Sequence, residues 1–282
     1  GFAGLVGAGR TEVMRALFGA DHRSSGTVYV GGKQVEILRP IDAIHHGIAL
    51  IPEDRKGQGV SLTLSIRENI SLVMLHTLQS FLRISRKKER TLVDSYMNAL
   101  AVKAPSMEQL TKNLSGGNQQ KVVVAKWLAT NADIIILDEP TRGIDIGAKY
   151  EIYLIMNRLV KEGKSIIMIS SEMPELIGMS DRIIVMHQGS VSGELTKEEV
   201  SQERILEMAS GMEKEGSRYE KRNEAFHQPG VCLSGAPVRI RLFLCSDKDV
   251  LVDKESAEHL SAGLHDRNLR GRHDYGSADR RY

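Results

Sequence analysis

The stretch Asn113-Leu-Ser-Gly-Gly-Asn-Gln-Gln-Lys121, followed by Ile134-Ile-Ile-Leu-Asp-Glu-Pro140, decides the fold of this chain. The first segment places a hydroxyl and two glycines at the predicted start of a helix. Unpaired backbone N–H groups and the helix dipole favour an anion there. The second segment ends an apolar strand in two adjacent carboxylates, Asp138 and Glu139. Such a pair can hold Mg²⁺ and orient an attacking water, so the two segments together indicate a site for a nucleoside triphosphate.

The composition is that of a globular chain. Its 282 residues are 41% apolar, and 38 basic and 36 acidic residues leave a net charge of +2. This near-neutral balance gives no strong field for nucleic acid, so we expect no nucleic-acid partner. No apolar run approaches the roughly 20 residues that a membrane helix needs. The two cysteines, Cys232 and Cys245, show no spacing typical of a disulfide framework or a metal site.

Strand and helix patterns alternate from residue 1 to about residue 212, separated by short turns. The patterns predict strands at 2–6, 27–30, 33–35, 48–51, 134–137, 165–169 and 182–186, and helices at 11–19, 147–162, 172–178 and 197–209. The polar segment 85–110 is predicted to be mostly helical and to form a helical subdomain. Continuous apolar runs such as Ile134–Leu137 are typical of parallel strands covered on both faces, so we expect an α/β, doubly wound sheet.

A glycine-rich loop lies between the first predicted strand and the first predicted helix. It matches the pattern G-x-x-x-x-G followed by a cation and a hydroxyl residue, which cradles phosphate groups. Its predicted cofactor-binding residues are Gly4, Gly7, Ala8, Gly9, Arg10 and Thr11. Arg10 stands where a lysine is usual, and this change from a compact ammonium to a planar fork is not conservative. The alternative is a tight strand-to-helix turn; the later motifs favour phosphate binding.

The segments around Ser115 and Asp138 resemble the signature and Walker B segments of ABC-type ATPases. The resemblance covers residues 1–212 and is most specific for the C-terminal ATPase half of the tandem ATP-binding subunits of simple-sugar importers, in particular the ribose type. It is carried by the motifs Pro52-Glu-Asp-Arg-Lys56, Leu114-Ser-Gly-Gly-Asn-Gln-Gln-Lys121, Pro140-Thr-Arg-Gly-Ile-Asp145 and Ser170-Ser-Glu-Met-Pro-Glu175. The fold it implies is an α/β P-loop NTPase, an ABC-type ATP-binding domain with a helical subdomain.

The resemblance also implies a site for ATP and Mg²⁺. It assigns the metal to Thr11 and Asp138, and it makes Glu139 the catalytic base that accepts the proton of the attacking water. Further predicted nucleotide contacts are Glu53, Ser115, Gly116, Gly117, Gln119 and Ser171. The signature residues among them would contact ATP held by the opposite ATPase half. Alternatives stay open: Ser115 could serve only as a helix cap, and Glu53 could lie in a charged surface turn.

Three positions depart from the family pattern. Arg10, Glu53 and Ser171 replace the usual Lys, Gln and His around the nucleotide, whereas the signature and the pair Asp138–Glu139 are intact. We therefore expect an asymmetric pair, in which this half lends its signature to a partner's ATP and hydrolyses its own poorly. Two alternatives are a catalytically silent binding half and a non-transport ABC ATPase of translation or repair. The sequence Arg142-Gly-Ile-Asp145 speaks against the second.

The resemblance implies several partners. They are an N-terminal ATPase half or a second ATPase copy, a transmembrane sugar permease and an extracytoplasmic sugar-binding receptor. The segment Ser65–Ile70 would face the permease. Separately, Lys121 and Lys126 are expected on the solvated face of the helix that follows Ser115. The location implied is peripheral, on the cytoplasmic face of the plasma (inner) membrane. We expect the ABC domain, residues 1–212, to be N-terminally truncated.

Residues 213–282 lose the sustained periodicity of the preceding domain. Their mixed charges and short apolar segments are typical of a disordered tail. Codons compatible with residues 219–282, shifted by one nucleotide, permit a hydrophobic peptide that resembles the first membrane helix of a sugar permease. We therefore predict a disordered or frame-shifted tail without chemistry of its own.

Overall fold

A computed structural model describes residues 1–23, 26–80, 83–212, 239–243 and 249–253. The α-helices in these ranges are α1 Arg10–Leu17, α2 Pro40–His45, α3 Ile66–Ser71, α4 Arg86–Ala99, α5 Gly116–Leu128, α6 Ile146–Lys161, α7 Met173–Met179 and α8 Gln202–Ala209. A π-helical turn forms at Arg55–Gly59, and short 3-10 helices form at Leu72–Met74 and Thr111–Asn113. The strands are β1 Phe2–Gly4, β2 Val28–Val30, β3 Lys33–Val35, β4 Ile48–Ile51, β5 Gln79–Ser80, β6 Arg83–Ile84, β7 Ile134–Asp138, β8 Ser165–Ile169, β9 Arg182–His187, β10 Ser190–Thr196, β11 Arg239–Phe243 and β12 Asp249–Asp253.

The central sheet has six strands in the order β10-β9-β1-β8-β7-β4. All of its neighbouring pairs are parallel except β9 with β10, which is antiparallel. Asp138, the last residue of β7, is in register with Ile169, the last residue of β8. The carboxyl ends of β1, β7 and β8 therefore meet at one edge, which is where open α/β sheets bind ligands.

Strand β7 shows why its sequence is apolar throughout. Ile134 and Ile136 belong to one hydrophobic cluster, and Ile135 and Leu137 belong to the other. Successive side chains of a strand point to opposite faces, so both faces of this sheet are buried. One face is covered by residues of α3 to α8, and the other by residues of α1, α2 and β2.

Most predicted elements are confirmed. The hairpin β2–β3 forms around Gly31 and Gly32, which both adopt positive φ, at 58° and 73°. The parallel strands at 134, 165 and 182 and the helix at 146 lie within one or two residues of the prediction. The segment 85–110, predicted to be mostly helical, contains the 14-residue helix α4, which ends at Ala99 before Ala101 takes a left-handed φ of 48°.

The predicted division into an ABC domain and a tail stays a prediction. Within 213–282 the structure describes only β11 and β12, and β12 pairs antiparallel with β2. The rest of the predicted disordered or frame-shifted tail lies outside the described residues. In the described part of the chain, no helix has the length and apolar character needed to cross a membrane.

Candidate functional site

The glycine-rich loop turns the chain from β1 into α1. Gly7 and Gly9 have φ of 82° and 92°, a region that glycine enters without steric cost. Gly4 packs closely, since a Cβ there would lie 2.7 Å from the Met186 carbonyl oxygen. Ala8 is buried, whereas Val6 is 96% exposed. The loop is thus anchored at Gly4 and Ala8, and its tip leaves its backbone open to solvent.

Thr11 and Asp138 face each other behind this loop. The Thr11 hydroxyl bonds to the Asp138 carboxylate, whose side chain is only 2% exposed. Burial raises the Asp138 pKa to about 6, and the Glu139 charge adds to this, against the Thr11 hydrogen bond and the Arg10 charge. Among the described residues, Asp138 Oδ1 is buried without a hydrogen-bond partner. A hydroxyl beside an unpartnered carboxylate oxygen is a donor set that fits Mg²⁺.

Glu139 holds a strained position directly after β7. Its φ is 46°, which is uncommon for a residue with a side chain. The strain is held by a hydrogen bond from its N–H to the Ile169 carbonyl at 2.9 Å. Its Oε2 accepts a hydrogen bond from the Ser171 hydroxyl at 3.1 Å. Such backbone strain is concentrated at functional sites, and it turns this carboxylate away from the course of the strand.

Arg10 lies beside the same strand ends. Its Nη1 donates to the Ser170 carbonyl at 3.0 Å. The structure therefore brings Arg10, Thr11, Asp138, Glu139 and Ser171 together at the carboxyl edge of the sheet. In this arrangement the guanidinium that replaces the usual lysine is already bound to the protein backbone.

The signature residues form a second group at the start of α5. Ser115 is exposed and caps this helix, accepting from the Asn118 N–H at 3.4 Å and from its side-chain amide at 3.0 Å. Gly116 is partly exposed, and Gly117 is buried against α6, where a Cβ would lie 2.5 Å from the Ala148 Cβ. The capping role of Ser115 is thus present, and its hydroxyl still faces solvent.

Other side chains of α5 point into the protein. Gln119 is 4% exposed and its amide donates to the Thr111 carbonyl at 3.2 Å, so its side chain serves the interior of the subdomain. The expectation that Lys121 and Lys126 lie on a solvated face is wrong. Lys121 is 2% exposed and donates to the Ala101 carbonyl and to Glu151, both at 2.8 Å. Lys126 is 6% exposed and donates to the Gly59 carbonyl.

Glu53, which stays a predicted nucleotide contact, has a protein partner in the structure. Its carboxylate forms an ion pair with Arg142, in the loop that follows Glu139. Both residues lie in charged turns, and neither the spacing nor the composition of these turns indicated that they meet.

No role was predicted for Glu175, a buried carboxylate that joins several elements next to the site. It accepts hydrogen bonds from Tyr153 at 2.6 Å, Thr141 at 2.7 Å, Ser170 at 2.9 Å and Lys149 at 3.1 Å. Burial alone would raise the Glu175 pKa, yet these four bonds lower it. The available signal was a glutamate at an otherwise apolar position of α7, directly after the strand that ends at Ile169.

Three comparisons bear on this arrangement. The family model described as ABC transporter matches residues 1–142. The ribose import ATP-binding protein of Bacillus cereus is 52% identical over 213 residues, which are 76% of this chain and 43% of that relative. The xylose import ATP-binding protein of Thermoanaerobacter pseudethanolicus is 50% identical over 212 residues, 75% of this chain and 42% of that relative. The chain thus spans less than half the length of these relatives.

Solved structures show the same fold at low sequence identity. A nucleotide-free ATP-binding cassette from an ABC transporter superposes with a TM-score of 0.64 at 19% identity, covering 73% of this chain and 85% of that one. A dimeric cassette bound to ADP and Pi superposes with a TM-score of 0.59 at 21% identity, covering 70% and 84%. The predicted fold class, a P-loop NTPase of the ABC type, is confirmed. The chain belongs to the ABC transporter family of ATP-binding proteins.

Proposed function

We propose that this chain is the C-terminal ATPase half of the ATP-binding subunit of a simple-sugar importer, of the ribose type. The proposal is supported by relatives at about half sequence identity whose names state ribose or xylose import. A share of 43% of the relative's length is what one of two ATPase lobes would occupy. The observation that carries the proposal is the cluster of Thr11, Asp138, Glu139 and Ser171 beside the glycine-rich loop.

Each group in the cluster has a chemical task. The N–H groups of the loop and of the start of α1 bind the phosphates of ATP. Thr11 and Asp138 would hold Mg²⁺, which neutralises phosphate charge when bound. Glu139 accepts the proton of the attacking water. Ser171 donates to the Glu139 carboxylate at 3.1 Å and so orients the base.

The signature end of α5 acts on a different nucleotide. Ser115 and Gly116 lie at an exposed helix N-terminus, which attracts phosphate oxygen. We assign this end to the ATP bound by a second ATPase lobe, either the N-terminal half of the subunit or a second copy. ATP at each site then lies between two lobes, and hydrolysis depends on both.

The same proposal includes partners at the membrane. The lobes act from the cytoplasmic face of the plasma (inner) membrane on a transmembrane sugar permease, which receives its sugar from an extracytoplasmic receptor. The segment Ser65–Ile70 is the proposed permease-facing segment. Only Arg67 and Glu68 of this segment are partly exposed, and the capping box of Ser65 and Glu68 fixes the start of α3 that carries them.

A catalytically silent own site is favoured by two contacts. Arg10 donates to the Ser170 carbonyl and Glu53 is paired with Arg142, so both replaced positions have protein partners. A silent half would bind ATP in its own loop and complete the partner's site through its signature. Glu139 matches the family pattern for the catalytic base, and this favours an active site instead.

Nucleotide binding is the first test of the proposal. Titration of the chain with a fluorescent ATP analogue and Mg²⁺ should give saturable binding. Thr11→Ala should weaken it by about tenfold, since a metal-facing hydroxyl is lost. The control Thr63→Ala alters an exposed hydroxyl that contacts Ser61 at 3.3 Å and should leave binding unchanged. Binding that is absent, or equal in both variants, would refute the proposed site.

Turnover by the paired lobes distinguishes an active from a silent half. Glu139→Gln in this chain is compared with the same change at the matching position of the second lobe. The asymmetric pair predicts a small loss from Glu139→Gln and a loss of about a hundredfold or more from the change in the other lobe. Equal losses from the two changes would contradict the asymmetry and leave two active sites.

A further inference from the structure

The turn that follows β4 contacts the loop that follows Glu139. We call residues 53–59 the β4 turn and residues 141–145 the crossing loop. Arg55 Nη1 donates to the Arg142 carbonyl at 2.7 Å, and its Nη2 donates to the Gly143 carbonyl at 2.9 Å. Glu53 forms an ion pair with the Arg142 guanidinium. Arg142 is therefore held at its backbone and at its side chain by one turn.

Arg142 is also joined to Glu139. Its N–H donates to the Glu139 carbonyl at 3.1 Å, closing a turn directly after the strained residue. Any rotation of the Arg142 peptide would alter this bond. The contacts made by Glu53 and Arg55 therefore bear on the backbone that orients the proposed catalytic base.

Arg55 lies against the start of the signature helix as well. A Cβ at Gly116 would lie 3.1 Å from Arg55 Nη2 and 3.3 Å from the Gly143 carbonyl oxygen. The guanidinium, the crossing loop and the start of α5 are thus in close contact. A residue larger than glycine at position 116 would push them apart.

The β4 turn is itself tied to two helices. Asp54 accepts from the N–H groups of Lys56 and Gly57 at 3.1 and 3.0 Å, which stiffens the turn. Gln58 Oε1 accepts from Arg15 of α1 at 3.2 Å, and the Gly59 carbonyl accepts from Lys126 of α5. The β4 turn therefore contacts α1, α5 and, through Arg55, the crossing loop.

We propose that Glu53 and Arg55 are positioning residues for ATP turnover, which hold the crossing loop and the adjoining start of α5 in place for the ATP of the second lobe and do not bind the metal. This inference rests on the proposed function. It gives Glu53 a task different from the nucleotide contact suggested by its position in the sequence. Turnover depends on the ion pair and on the two carbonyl contacts, whereas Mg²⁺ binding depends on Thr11 and Asp138.

A double-mutant cycle on the paired lobes tests the ion pair. Glu53→Gln and Arg142→Gln should each lower kcat by about tenfold, with KM for ATP changed by less than about twofold. The double variant should fall no further than either single variant, because both remove the same contact. Exchanging the charges, Glu53→Arg with Arg142→Glu, should restore part of kcat. Independent losses, or no rescue by the exchange, would overturn the pairing role.

Arg55 is tested by variants that keep one contact or none. Arg55→Lys retains a donor for a single carbonyl and should keep more kcat than Arg55→Met. Lys56→Gln, an exposed neighbour in the same turn, is the matched control and should behave as the unmodified chain. A shift in Mg²⁺ affinity in Glu53→Gln would overturn the proposal, since it would assign that carboxylate to the metal.

Hydrogen exchange on the chain alone separates this inference from the proposed function. Amides of the crossing loop should exchange faster in Arg55→Met, by about tenfold, and not in Lys56→Gln. If the unmodified lobes show no ATP turnover, the proposed function fails while the exchange difference still supports the contact. Unchanged exchange in Arg55→Met refutes the positioning role even when turnover is normal.

Discussion

At the scale of single residues, the site is built around Asp138, a carboxylate that is almost fully buried. Its pKa of about 6 means that ionising this carboxylate is less favourable in the folded chain than in the unfolded chain. Raising the Asp138 pKa from 3.8 to about 6 corresponds to about 3 kcal/mol. The ionised Asp138 carboxylate therefore destabilises the folded chain, at a position where it can bind a cation.

This cost predicts a pH dependence for metal binding. Mg²⁺ requires ionised Asp138, so its affinity in the presence of ATP should fall by up to about tenfold per pH unit below pH 6. Calorimetric titration between pH 5 and pH 7.5 measures it. Asp138→Asn should bind Mg²⁺ weakly at every pH and keep only the shallower dependence that comes from protonation of the ATP phosphate. A dependence as steep in Asp138→Asn as in the unmodified chain would contradict the assignment to Asp138.

Asp138 should also affect the stability of the chain without metal. Its pKa is raised on folding, so the folded state binds more protons than the unfolded state between about pH 4 and 6. The free energy of unfolding should therefore fall by up to about 3 kcal/mol as the pH rises through this window. Urea unfolding compared with Asp138→Asn isolates the effect, and equal pH profiles would contradict it.

Lys126 gives the opposite dependence at alkaline pH. Burial lowers its pKa to about 8, so between about pH 8 and 10.5 the unfolded chain binds the extra proton. Stability should therefore rise with pH there, by up to about 3 kcal/mol relative to Lys126→Met. Urea unfolding at pH 7.5 and pH 9.5 measures this difference. The control Lys112→Met, at an exposed position, should keep the rise; its absence from the unmodified chain would contradict the burial argument.

At the scale of elements, the sequence predicted best those strands whose residues are buried on both faces. The run Ile134–Leu137 is apolar throughout because each of its side chains packs into one of the two hydrophobic clusters, and this pattern predicts a buried strand. Strand β10, Ser190–Thr196, was not predicted: it lies at a sheet edge, and its serines and glycine make a weak strand pattern. The helix predicted at 197–209 begins only at Gln202, because residues 197–199 form a turn, closed by the Glu199 N–H to the Thr196 carbonyl, and Ser201 caps the helix.

The packing of α5 against α6 depends on one glycine. A Cβ at Gly117 would lie 2.5 Å from the Ala148 Cβ, so Gly117→Ala should destabilise the chain by about 1–3 kcal/mol. The matched variant is Gly178→Ala in α7, where nothing lies within 4 Å of an added Cβ. That change should stabilise by up to about 1 kcal/mol, because alanine favours helix. Thermal unfolding measures both, and equal shifts would contradict this packing.

At the scale of the whole molecule, local motifs could be predicted from the sequence and long-range pairings could not. The glycine-rich loop, Asp138 and Ser115 stand in patterns that carry their own chemistry. The contacts of Glu53 with Arg142 and of Lys126 with Gly59 join residues that are distant in the sequence. Only the folded sheet brings those turns and helices together, so no local pattern could indicate them. Glu175 gave a local signal as a glutamate in an otherwise apolar helix, but its four partners come from several elements and could not be predicted.

The two groups of site residues define the architecture that we propose. One group lies at the carboxyl edge of the central sheet, and the other lies at the exposed start of α5. A second ATPase lobe would supply a signature segment to the first group and a bound ATP to the second. The central claim is therefore that Ser115 acts on ATP held by that second lobe.

ATP turnover by the paired lobes, carrying Ser115→Asn or Ser115→Asp in this chain, tests that claim most directly. Both replacements cap a helix as well as serine does, so they should differ little in stability. The carboxylate places a negative charge where the γ-phosphate would lie, so Ser115→Asp should lower turnover by about a hundredfold relative to Ser115→Asn. Ser95→Asp, at an exposed site on α4, should have no effect. Equal turnover with Ser115→Asn and Ser115→Asp would contradict the claim.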